Sequence, residues 1–124
     1  NTNKDNFHKI LFITSIVGPR GFKNLSSYAS SKSALESLSK NLSVEFSGKN
    51  IYFNSIAPGF VNTSYANNFK STKKEIHKWT ISKTPLKRWG EPNEISEVIA
   101  FLISNKSSFI NGSVIFADGG WTAE

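Results

Sequence analysis

The stretch SSYASSKSALESLSKNL, residues 26–42, decides how its flanks are read. Leu35, Leu38 and Leu42 recur at helical spacing, Phe46 continues the series, and Gly48 supplies the permissive residue on which helices commonly end. On either side of this helix lies a short continuous run of apolar and β-branched residues, KILFIT at 9–14 before it and IYFNSIA at 51–57 after it. A strand with one wet face alternates, whereas a run apolar on both faces is typical of a strand buried in a parallel sheet. Strand, helix and strand in that order predict a right-handed βαβ crossover. A third run, SVIFA at 113–117, follows a second helical face made by Ile95, Val98, Ile99 and Leu102, with Pro92 near its start and Glu91 or Asn93 at its mouth. The chain therefore reads βαβαβ, an α/β layer fold with three parallel strands.

The segment from about 64 to 90 breaks this rhythm. It is long, basic and only partly helical in pattern, with Phe69, Ile76 and Trp79 as an apolar stripe and Trp89 near its end. It leaves from the carboxyl end of the second strand, where ligands sit in open α/β sheets, so it is expected to form a lid.

Composition narrows the function classes. The 124 residues are enough for one small domain with one core. No apolar run approaches the ~18 residues of a membrane span, so no membrane is expected as a partner. Cysteine is absent, which removes disulfides, thiolate metal sites and cysteine nucleophiles, and a cytoplasmic location is the expectation. No G-x-S-x-G elbow is present, and His8 and His77 have no evident partners, so neither hydrolase nor metal chemistry is expected. The net charge of +6 gathers in Lys70, Lys73, Lys74, Lys78, Lys83, Lys87 and Arg88, with Glu75 the one acid among them. Without a recognition motif this patch reads as a solvated face and not a nucleic-acid interface, though it also suits anionic substrates or an acidic carrier. The sequence begins at Asn1 and lacks methionine, and is expected to be part of something longer.

Within the opening stretch, Tyr28 and Lys32 stand four residues apart, one above the other on a helix. A phenol ionises near pH 10, too high for a general base near neutrality; shifting it by about 3 units takes roughly 4 kcal/mol, and a neighbouring cation works in that direction. Ser15 ends the first strand in FITSIVG, where its hydroxyl can enter the same cleft and help hold an oxygen that gains negative charge. The second strand ends in NSIAPGFVNT, in which Pro58 and Gly59 make a tight turn and Thr63 offers a further hydroxyl.

Ser15, YASSK at 28–32, NSIAPGFVNT at 54–63, PLKRWGEPNEISEVIAFLIS at 85–104 and INGSVIFADGGW at 110–121 occur in the order and spacing of the short-chain dehydrogenase/reductase family. The chain resembles the C-terminal half of such a protein, and its closing ADGGWTAE and the form of the lid are similar to tropinone-reductase-like and sugar-acid dehydrogenase members. The resemblance implies half of a Rossmann-like doubly wound parallel sheet over residues 1–124, without the N-terminal dinucleotide-binding half. It implies hydride transfer between NAD or NADP and a small-molecule carbonyl or alcohol. Tyr28 would be the general acid/base and Ser15 would hold the substrate oxygen. Lys32 would bond the nicotinamide ribose and stabilise the Tyr28 phenolate. Pro58, Gly59, Val61 and Thr63 would hold the nicotinamide amide and the neighbouring phosphate.

The Gly-rich pyrophosphate turn, the residue that selects NAD over NADP and the asparagine of the family's tetrad have no counterpart, since Asn3 and Asn6 stand too close to Ser15. In the family's sheet order the strand at 9–14 would then present a raw apolar edge. That edge is expected to be covered by a separate N-terminal half, by self-association, or by residues 1–8. Ala29, Ser30, Ser33, Ala34 and Ser37 keep the helix narrow enough for close approach, and the resemblance implies a homodimer or tetramer. The competing expectation is a truncated, catalytically dead fragment that serves as an oligomeric interaction module.

Overall fold

The three apolar runs form three strands, β1 (His8–Ile13), β2 (Ile51–Pro58) and β3 (Val114–Ala117), all parallel in the order β1-β2-β3. The computed structural model describes residues 7–123, without the side chain of Tyr65. Register runs from His8 opposite Ile51 to Ile13 opposite Ile56, and from Ser55 opposite Val114 to Pro58 opposite Ala117. β2 is central and buried, with Phe53, Ile56 and Ala57 in the core. A strand covered on both faces reads as a continuous apolar run, and β2 carried that pattern most fully.

Helix α1 (Ser26–Glu45) makes the first crossover and α4 (Pro92–Ile103) the second. The expected leucine stripe of α1 is only partly the packed face. Leu38 is 45% exposed, while Ser39 and Ser43 are the buried residues. The reason is close approach: α1 lies against β2, and serine side chains fit where leucines would hold the elements apart. Ser43 also bonds its own helix, its hydroxyl donating to the Lys40 carbonyl at 2.7 Å. Phe46, just past the helix, closes the far end by packing on Phe53 with ring centroids 5.5 Å apart.

Two asparagines tie β2 to the turn before β3. Asn54 donates to the Ile110 carbonyl at 2.9 Å and accepts the Ser113 N–H at 3.0 Å, while Asn111 accepts the Phe53 N–H at 2.9 Å. They satisfy backbone groups that the short β3 leaves unpaired.

The segment expected to be only partly helical holds two helices, α2 (Ser64–Thr72) and α3 (Lys74–Lys83), which break at Lys73. The apolar stripe forms only in part: Phe69 packs on Trp89 and Trp79 meets Trp121, while Ile76 and Trp79 are both nearly half exposed. The break at Lys73 and the inward pull of Trp89 turn a different face of α3 to the body, and Thr80 is the residue it buries. Among the described residues no helix is long and apolar enough to cross a membrane.

The start of α4 is built electrostatically. Glu94 accepts the Glu91 N–H at 2.8 Å and pairs both carboxylate oxygens with the Arg88 guanidinium at 2.6 Å. That pairing holds the Glu94 carboxyl at about 2, below its ordinary 4.5. A carboxylate with a depressed folded-state pKa stabilises the fold fully above the unfolded value and loses that contribution as pH falls through the folded one. Thermal stability is therefore expected to fall between pH 4.5 and about 2 more steeply in the natural sequence than in Glu94→Gln. Parallel pH profiles of melting temperature for the two proteins would contradict this assignment.

β1 is an edge strand among the described residues. Ile10 and Ile13 are both more than 40% exposed, and on α1 Leu38 and Val44 also face outward. The expectation that the leading residues cover this edge falls partly on positions 1–6, which lie outside the described residues. An unpaired strand edge beside exposed apolar side chains favours association. The isolated chain is expected to sediment as more than one copy and to bind a hydrophobic dye. A dispersed monomer with a sharp melt and no dye binding would refute this.

Candidate functional site

The parallel pairing of β1 and β2 brings their carboxyl ends side by side. Thr14 continues the pairing beyond β1, its N–H and its hydroxyl both donating to the Ile56 carbonyl at 2.8 and 3.0 Å. Ile16 then donates to the Pro58 carbonyl at 3.3 Å. Ser15, between these two anchors, is buried, and its hydroxyl accepts the Val17 N–H at 3.4 Å.

A cavity of about 360 Å³ opens at this end of the sheet. Ser15, Tyr28, Gly59, Val61 and Thr63 all line it, from three separate segments of the chain. Tyr28 lies in the first turn of α1 and is 45% exposed. Lys32, one turn on, and Pro58, at the end of β2, do not line the cavity. The Lys32 ammonium donates to the Ile13 carbonyl at 2.8 Å and lies 5.6 Å from the centre of the Tyr28 ring. Pro58 acts through its carbonyl, which holds Ile16 and so the turn after β1.

Gly59 has a packing reason beside its place in the wall. A Cβ there would stand 2.8 Å from the Asp118 Cα, closer than side-chain contacts allow. The close approach that the glycine permits is thus used by the β3 end, whose Ala117 carbonyl accepts the Gly59 N–H at 3.0 Å. Asp118 in turn accepts from the Gly120 and Thr122 N–H groups and from the Thr122 hydroxyl, at 2.7 to 2.9 Å. All three strand ends are locked together here.

Thr63 occupies the N-cap position of α2 in an extended conformation, yet its side chain makes no capping bond. A hydroxyl at a helix N-terminus that makes no capping bond among the described residues is suited to an anionic oxygen such as a phosphate. On that ground the residues present fit the nicotinamide end of a dinucleotide. Among the described residues no cluster of His, Asp or Glu could hold a metal ion.

The remaining walls were not read as site residues from the sequence. Phe22, Leu25, Phe60, Ala66, Phe69 and Trp89 also line the cavity, beside Ile16 and Val17. Trp89 is buried, stacks on Phe60 at 5.4 Å, meets His77 edge-on at 4.6 Å, and donates its indole N–H to the Thr80 hydroxyl at 2.8 Å. Trp121, near the chain's end, packs on Phe60 at 5.0 Å and stacks on Phe22 at 6.1 Å. The density of aromatics at 60, 69, 79, 89 and 121 was the available signal, but nothing local says that Phe60, Phe69 and Trp89 share one cavity.

Comparison with known proteins bears on this arrangement. The family described as enoyl-(acyl carrier protein) reductase matches residues 2–122. A tropinone reductase homologue of Arabidopsis thaliana is 42% identical over 113 residues, which is 91% of this chain and 42% of the relative. The solved structure of 4-hydroxyisoleucine dehydrogenase complexed with NADH superposes with a TM-score of 0.88 at 37% identity, covering 94% of this chain and 47% of that one. Gluconate 5-dehydrogenase from Burkholderia cenocepacia, in complex with NADP and tartrate, superposes with a TM-score of 0.89 at 30% identity, over 95% of this chain and 46% of that one. The chain spans less than half the length of each of these relatives.

Proposed function

Because the chain belongs to the short-chain dehydrogenase/reductase family, we propose that it is the catalytic half of an NAD(P)-dependent oxidoreductase acting on a small-molecule carbonyl or alcohol. The observation that carries this reading is the single cavity lined by Ser15, Tyr28, Gly59, Val61 and Thr63. Structures of relatives with NADH and with NADP support either nicotinamide cofactor. When bound, the nicotinamide supplies or accepts the hydride.

The chain's own residues do the rest. In the reducing direction the Tyr28 hydroxyl donates its proton to the substrate oxygen as that oxygen becomes an alkoxide, and in the oxidising direction it takes the proton back. Ser15 donates a second hydrogen bond to the same oxygen, which places stabilisation where negative charge develops. The Lys32 ammonium, already near the Tyr28 ring, stabilises the phenolate left after proton transfer and is in reach to exchange its Ile13 carbonyl for ribose hydroxyls. Val61 and Thr63 hold the carboxamide and the adjacent phosphate. Phe60, Phe69 and Trp89 keep water from the reacting atoms.

The competing reading is an inactive association module, favoured by the exposed apolar faces of β1 and α1. Nucleotide binding separates the two, since an association module has no use for a free Thr63 hydroxyl.

The test uses the full-length gene product that carries this sequence. Tyr28→Phe is expected to lower kcat for carbonyl reduction by about 10²- to 10⁴-fold while leaving nucleotide affinity within a factor of about two. A retained kcat would remove Tyr28 from the chemistry. Thr63→Ala is expected to weaken NADH and NADPH binding by about tenfold, as for the loss of one bond to a charged oxygen, and Thr63→Ser to restore it. Equal titration curves for all three proteins would argue against the phosphate contact.

A further inference from the structure

Across Phe22 from the catalytic cavity lies a second one, of about 350 Å³, lined by Arg20, Gly21, Phe22, Trp79, Lys83 and Trp121. Phe22 is common to both. Three of the lining residues are aromatic and packed on one another. Trp121 stacks on Phe22 with an interplanar angle of 21°, and Trp79 meets Trp121 edge-on with centroids 5.5 Å apart. The other two side chains are cations from different parts of the fold: Arg20 from the turn that follows Ser15, and Lys83 from the last residue of α3.

Most of the rest of the basic segment is otherwise engaged, Lys74 excepted. Lys70 lies over the Trp89 ring and Lys73 over the Phe69 ring. Lys78 pairs with Glu75, Lys87 donates to the Ser82 carbonyl, and Arg88 is held by Glu94. Among the described residues neither Arg20 nor Lys83 has an acidic partner. Asp118, close in sequence to Trp121, has both carboxylate oxygens occupied by its own turn. Two cations without an acidic partner among the described residues, both lining an aromatic-walled cavity, make a site for a negatively charged group on a ring-bearing molecule. Electrostatic attraction supplies the charge selection, and stacking supplies contact area.

We infer that this cavity is the substrate's anionic subsite: Arg20 and Lys83 hold a carboxylate or phosphate while Trp79 and Trp121 contact the body that links it to the carbonyl at Tyr28. The inference rests on the function proposed above and adds the substrate's charge to it. Arg20 and Lys83 act in specificity and take no part in proton or hydride transfer.

The experiment again uses the full-length gene product, with 4-oxo-4-phenylbutyrate, its uncharged methyl ester and phenyl phosphate as probes, read by quenching of tryptophan fluorescence. The acid is expected to bind at least about tenfold more tightly than its ester, the scale of one charge-assisted contact. In Arg20→Gln/Lys83→Gln that preference is expected to vanish, and in Trp79→Phe the quenching amplitude to drop. Phenyl phosphate binding more tightly than the acid assigns the subsite to phosphate; the reverse order assigns it to carboxylate. Equal binding of acid and ester, no saturable quenching by any probe, or a preference that survives in the double variant overturns the inference. Failure of the catalytic reading looks different: the acid binds with the expected preference, yet no probe ketone is reduced by NADH or NADPH. Conversely, reduction of acid and ester with equal kcat/KM leaves the catalytic reading standing and removes the anionic subsite.

Discussion

Everything at the candidate-site end of this fold hangs on the parallel pairing of β1 with β2, and in particular on how it is finished. Ile13 opposite Ile56 is the last regular pair, and Thr14 then spends both its N–H and its hydroxyl on the Ile56 carbonyl. Beyond that lock the two strand ends stay side by side as far as Ile16, whose N–H donates to the Pro58 carbonyl. The turn carrying Ser15 and the turn carrying Gly59, Val61 and Thr63 are therefore held side by side by backbone bonds, with Ile16 and Val17 packed in the core beside Ser15. Elements fixed in this way give catalytic groups the positional accuracy that loops alone do not. Lys32 adds to the same lock, because the carbonyl it bonds belongs to Ile13.

The third strand acts on this arrangement from the other side. β3 is only four residues long, yet its end reaches Gly59 so closely that no side chain fits between them. The turn beyond it then carries Trp121 onto Phe22 and Phe60. Gly119 makes that path possible: its φ is +64°, and a Cβ there would meet the Thr84 side chain at 2.8 Å. The C-terminal strand thus backs the aromatic residues of a candidate site whose proposed reacting groups come from the ends of β1 and β2 and from α1. The lid helices join through Trp89 and Trp79, so the wall is assembled from four segments remote in sequence.

That distribution explains what could be read from the sequence and what could not. Strand order and crossover helices follow from local apolar patterns, and the Tyr28–Lys32 pair follows from helical spacing. Ser15 and Thr63 were legible because strand ends are where such sheets place ligands. The buried face of α1 was not, because close approach to β2 favours Ser39 and Ser43 over Leu38, a choice set by the neighbour and not by the helix. Ile76 and Trp79 misled for a related reason: the break at Lys73 rotates α3, and only the tertiary path of Trp89 decides which of its faces is buried. The roles of Asn54 and Asn111 carried no signal at all, since each satisfies a turn that the sequence shows only as polar residues.

The strand that carries Ser15 and anchors Lys32 is also the strand whose outer edge is unpaired among the described residues. Edge strands open at lower cost than central ones, because fewer contacts must be broken. Opening of β1 would release the Ile13 carbonyl from Lys32 and the Thr14 lock from Ile56 in one event, and with them the placing of Ser15 against the cavity. Whatever covers the edge binds the closed strand and not the open one, so it must stabilise the site by mass action in proportion to its own affinity. A partner on the edge of β1 and a ligand at its carboxyl end would favour the same closed state, so each would strengthen the binding of the other.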